Sequence, residues 1–99
     1  MIVQNMQSSN GNKVANQFIL TDKHKMGNNT EYFQSYKSII VKKIYDNIGA
    51  YVVETFLDQK YWNFSNTTSK YRNKFLNETT KETMAKIKSG EYKLIDLNN

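Results

Sequence analysis

Ninety-nine residues, 38% of them apolar and 13% aromatic, suffice for one domain around one core and leave no room for a second. The lack of Cys excludes a disulfide framework and a thiolate metal site, and the single His, His24, cannot build a zinc centre by itself. A formal net charge of +5, carried by thirteen Lys and one Arg, favours attraction to polyanions without specifying any of them.

The first dozen residues read as an N-terminal arm or edge strand that ends in the turn signal Asn10-Gly11-Asn12, and residues 13–99 read as one α+β domain. Period-two alternation with β-branched and aromatic residues predicts a strand over 13–21, with Val14, Phe18 and Leu20 on one face and Ala15, Gln17 and Ile19 on the other. The polar stretch 22–30 supplies a turn. Residues 31–44 then read as the longest strand, whose second half bends or changes face through a bulge. Asp46-Asn47-Ile48-Gly49 is a further turn, and 50–58 is a third strand, with Thr55 and Leu57 opposite Glu54 and Phe56. Short connections imply an antiparallel meander.

After Trp62 the period changes to that of a helix. N-cap residues at Ser65, Asn66 and Thr67 and the i, i+4 pair Tyr71 and Phe75 predict a helix over 66–77. Thr79 and Glu82 form a capping box, Lys86 and Lys88 suit a helix C-terminus, and Gly90 stops it, so a second helix covers 80–89. Its apolar stripe, Met84, Ala85 and Ile87, is thin enough to place it over the margin of the sheet. Residues 91–97 alternate again as a closing strand. The expected fold is an antiparallel sheet of three to five strands with two short helices, late in the chain, packed on one face.

The start of the chain lacks a charged segment followed by an apolar run, and no 18-residue apolar stretch occurs, so a cytoplasmic protein with no membrane partner is expected. No phosphate-binding glycine motif, EF-hand loop or nucleophile elbow is present, and neither an enzyme activity nor a cofactor is expected. His24, beside Asp22 on a loop, reads as a surface side chain.

The chemistry concentrates in Tyr61, Trp62, Phe64, Lys70, Tyr71, Arg72 and Lys74. Trp, Tyr and Arg dominate hot spots at protein interfaces. The same aromatic faces interleaved with cations also suit single-stranded nucleic acid. The bland alternative makes the aromatics core residues and Arg72 a salt bridge or stack that fixes the helix on the sheet.

Trp62, Phe64, Ser65, Thr67, Thr68, Lys70, Tyr71 and Arg72 follow the pattern W-x-[FY]-S-x-T-T-x-K-Y-R, preceded by the VANQF element at 14–18 and the FQSY element at 33–36. Over residues 13–98 the chain thereby resembles a family of small proteins of bacteriophages and mobile elements, with Ser69 standing where that pattern has Gly. The resemblance implies a phage accessory protein acting inside the host bacterial cell. The leading expectation is a non-enzymatic inhibitor that binds a host protein or protein–nucleic-acid complex, such as a CRISPR effector, through the 62–74 surface. A small basic single-stranded DNA- or RNA-binding protein is the alternative, and a self-associating homodimer or virion component is a third reading.

Overall fold

The alternating stretches all become strands of one sheet. The computed structural model describes residues 1–24 and 27–99 and contains β1 (Ile2–Gln7), β2 (Lys13–Asp22), β3 (Thr30–Ser35), β4 (Ser38–Tyr45), β5 (Val52–Asp58), α1 (Asn66–Leu76), α2 (Thr80–Ser89) and β6 (Tyr92–Ile95). Spatial order follows chain order from β1 to β6. The first five strands form an antiparallel meander, and β6 runs parallel to β5 because both helices lie in the connection that returns the chain. The class is α+β, as expected, but the strands number six rather than three to five. Part of the turn expected over 22–30, Lys25 and Met26, lies outside the described residues.

Of the two alternatives for the N-terminus, the edge strand is the one that forms, with residues 2–7 paired to β2; the sixth strand arises because the single strand expected over 31–44 is a hairpin. Ser35 pairs with Ser38 across a two-residue turn, Tyr36-Lys37, in which Tyr36 takes a left-handed φ of 56°. Turns of this kind favour Asn, Asp or Gly, and this one carries none of them.

One face of the sheet meets the helices. Ile19, Phe33, Val41 and Leu57 form a cross-strand row on it, with Ile19 packed against the buried other three. A bulge opposite Phe33 lets the neighbours Ile40 and Val41 both be fully buried. The alternation expected in β2 is broken in the same way. Asn16, at φ 64°, shifts the phase, so that Val14 and Ile19 pack on the core together while Phe18 and Leu20 turn to the other face. Gln17 is completely buried, and its amide has no hydrogen-bond partner among the described residues.

Local signals set the helices. The Ser65 hydroxyl accepts from Thr68 N–H at 3.1 Å, and Asn77, at φ 55°, closes α1. The Thr79/Glu82 capping box opens α2, and Gly90, at φ 87°, ends it. Thr68, Tyr71, Arg72 and Phe75 make the inward stripe of α1, and Phe75 stacks on Phe33 with ring centroids 5.8 Å apart. Lys43, half-buried in β4, reaches the Phe75 carbonyl at 3.0 Å and so caps the C-terminal end of α1. The inward residues of α2 are Thr83 and Ile87; Met84 and Ala85, expected on its apolar stripe, are exposed because the helix sits over the β6 margin.

Candidate binding site

The structure divides the seven residues singled out in the sequence. Tyr71 and Arg72 are buried, Tyr61 and Trp62 are half-buried, and Phe64, Lys70 and Lys74 are exposed. Arg72 is thus unavailable as a surface contact. Its guanidinium donates to the Trp62 carbonyl at 2.6 Å, Asn63 Oδ1 at 3.1 Å, Asn73 Oδ1 at 2.8 Å and Thr80 Oγ1 at 2.8 Å, and it lies 5.1 Å from the centre of the Trp62 ring. It ties the loop before α1 to the start of α2. Burial lowers its pKa while Glu78 opposes that shift. Lys74 donates to the Gln7 carbonyl and joins α1 to the edge strand, and Lys70 lies over the ring of Tyr71. His24 is exposed, 3.9 Å from Asp22, and among the described residues no three of His, Asp or Glu gather within reach of one metal ion.

Tyr61 and Phe64 instead meet residues that lie far off in sequence. Together with Tyr36, Lys37, Ile40, Asn16 and the hydroxyls of Ser35, Ser38 and Thr68 they line a groove of about 410 Å³ at the end of the sheet where β3 turns into β4. This volume falls within the range of small-ligand and side-chain pockets, roughly 300–1,000 Å³. Phe64 is 69% exposed and Tyr36 52% exposed, while Tyr61 meets Phe64 edge to face with centroids 5.3 Å apart. Beneath the mainly apolar lining the structure is fixed by hydroxyls: Ser35 and Thr68 Oγ atoms lie 2.9 Å apart, and Ser65 donates to Thr68 at 3.1 Å. Lys37 stands in the wall, and the Lys60 ammonium lies 5.3 Å from the Tyr61 ring.

Two backbone devices hold these walls. Asp58 is buried at the end of β5, where its carboxylate accepts from Lys60 N–H at 3.1 Å, Tyr61 N–H at 2.8 Å and Leu97 N–H at 2.9 Å. Burial alone would raise its pKa, but these donors and the Asn98 amide outweigh that and hold it below the usual carboxylate value. On the opposite wall, Tyr36 N–H donates to the Asn16 carbonyl at 2.7 Å and the Gln34 amide donates to the Tyr36 carbonyl at 2.8 Å. Both Asn16 and Tyr36 are left-handed. Asn tolerates that conformation, whereas a bulky side chain there stores strain of about 1–3 kcal/mol.

Sequence reasoning found Tyr61 and Phe64 and missed Tyr36, Lys37 and Asn16. The available signal was length, since a 14-residue strand is well beyond the usual 5–6 and marks a concealed turn.

A family model described as a family of unknown function (DUF8033) matches residues 1–91, from β1 through α2. No curated protein and no solved structure matches the chain.

Proposed function

We propose that this chain, which belongs to the DUF8033 family, is a non-enzymatic binding module that inhibits a host macromolecule by docking through the groove walled by Tyr36, Tyr61 and Phe64. The observation that carries the reading is Tyr36, an exposed aromatic held at a φ of 56° beside a second exposed aromatic, Phe64. Such a groove accepts an apolar anchor side chain from a protein partner, and Lys37 and Lys60 suit an acidic surface around that anchor. The phage-type accessory role in the cytoplasm of a host bacterium, with a defence component such as a CRISPR effector as target, is carried by the sequence resemblance and belongs to the proposal.

A second reading is supported by the same aromatics with lysines at their rim. A single-stranded DNA or RNA could place a base in the groove and its phosphates on Lys37 and Lys60, with stacking worth about 1–3 kcal/mol per base. The two readings separate in a pull-down from bacterial lysate with and without nuclease, at low and high salt. A captured protein that survives both treatments, and is lost on Phe64→Ala, supports the protein target. Retention of nucleic acid that falls steeply with salt, about 0.7 log units of affinity per log unit of salt for each neutralised phosphate, supports the alternative.

A further inference from the structure

The sheet face turned away from the helices carries a group of apolar side chains at its centre. Register sets Val3, Leu20, Tyr32, Lys42, Phe56 and Lys93 in one row from β1 to β6, with Phe18 and Ile39 beside it. Sheets that meet water on one face carry polar residues there in alternation. Here Val3, Phe18, Leu20, Tyr32, Ile39 and Phe56 stand together among the outward positions and all are at least partly exposed, in a chain whose mean hydropathy is −0.73. A contiguous patch of this kind marks a contact surface.

Charge selects its occupant. On this face Lys13, Lys42 and Lys93 stand against Asp22 and Glu54, and Lys93 is held by Glu54 at 3.0 Å. Much of the chain's +5 is carried instead by exposed lysines of the helices and the loop before them, such as Lys60, Lys70, Lys81 and Lys88. The open face thus has nearly balanced charge and little to attract a polyanion. An identical copy suits such a mixed face, because a two-fold axis can set its lysines against the carboxylates of the partner. Size agrees: six strands about 4.8 Å apart and about 20 Å long offer roughly 500–600 Å² per copy, which reaches the ~1,000 Å² total of a specific interface.

We propose that this face closes on the same face of a second copy, giving a homodimer in which two sheets pack with the helices outermost. Packed sheets of this kind lie about 10 Å apart, with inner side chains interdigitating.

Sedimentation equilibrium on the full chain and on Tyr32→Lys and Phe56→Lys tests it. The wild-type chain is expected at twice its mass of 11.6 kDa at about 100 µM, and each variant at the single mass, with dissociation constants raised roughly a hundredfold or more by the buried, unpaired charge. Circular dichroism on each variant establishes that it is folded; both positions face outward, and either folded variant suffices. A wild-type chain that is monomeric at that concentration overturns the proposal without reference to any variant. A dimer that persists in a folded variant also overturns it, in favour of pairing through the β1 edge. A monomer that retains an oligonucleotide through Tyr32 overturns it as well and gives the face to nucleic acid.

Discussion

Arg72→Ala is expected to lower stability by about 3–5 kcal/mol and the midpoint of thermal unfolding by roughly 15–30 °C. The guanidinium is fully buried and satisfies the Trp62 carbonyl, the side-chain oxygens of Asn63 and Asn73, and the Thr80 hydroxyl. Truncation leaves these acceptors without their donor and opens a cavity beneath Trp62, two losses that add. Domains of this size are stable by only about 5–15 kcal/mol, so the variant sits close to the unfolding threshold. Arg72→Lys keeps the charge but loses most of the stability, since one ammonium cannot span the two ends of a planar fork. A melt of each variant followed by circular dichroism checks this. A midpoint within a few degrees of wild type, combined with lost binding, would return Arg72 to the surface role that its sequence context suggested.

The second large effect lies at Glu78, in the link between α1 and α2. Its carboxylate, only 3% exposed, accepts from the Lys86 ammonium at 2.8 Å, the Thr83 hydroxyl at 2.5 Å and the Tyr92 hydroxyl at 2.7 Å, and thereby joins α2 to β6. Burial would raise its pKa, but the Lys86, Thr83 and Tyr92 donors outweigh that and hold it below the ordinary 4.5. Lys86 is raised in turn, chiefly by its bond to Glu78, while burial and then the Glu78 bond push Tyr92 up to about 12.

The pH dependence follows from those directions. The folded chain holds the Glu78 proton more weakly than the unfolded chain, so this stabilisation is complete well above pH 4.5 and fades as pH falls through the folded value. Asp58, also depressed, adds to the same acid limb. At the alkaline end the contribution of Tyr92 is full below pH 10 and is lost as pH rises towards about 12. Glu78→Gln is expected to cost about 2–3 kcal/mol at pH 7, the worth of a charge-assisted network, with the deficit shrinking below pH 4. Urea unfolding at pH 7 and pH 3.5 measures it; an equal deficit at both values would mean that the carboxylate charge is irrelevant.

Signals that act within a few residues were legible in the sequence. Ser65, Thr79 with Glu82, and Gly90 mark helix ends because a cap is a contact between near neighbours, and both helices fall where these residues place them. The hairpin at Tyr36-Lys37 was concealed because neither residue belongs to the set that turns favour, and the strain is held by the distant Asn16 carbonyl. The phase shift at Asn16 hid which side chains of β2 face the core. The parallel pairing of β6 depends on the whole crossover and leaves no local trace.

The candidate site was half legible for the same reason. Tyr61 and Phe64 stood out as an aromatic run, but the groove they wall also needs Tyr36 and Ile40 from a hairpin that the alternation did not reveal. Arg72 stood out by rarity, and rarity does not distinguish a contact for a partner from a clasp within the fold.

In the proposed function the ring of Tyr36 serves binding at the expense of the turn that carries it. Thermal unfolding and target capture of Tyr36→Asn, measured side by side with the wild-type chain, test it most directly. Asn is at ease at a φ of 56°, so the variant should be as stable as the wild type or more stable by about 1 kcal/mol, while capture falls at least about tenfold. Undiminished capture by a folded Tyr36→Asn chain would mean that the ring makes no binding contact.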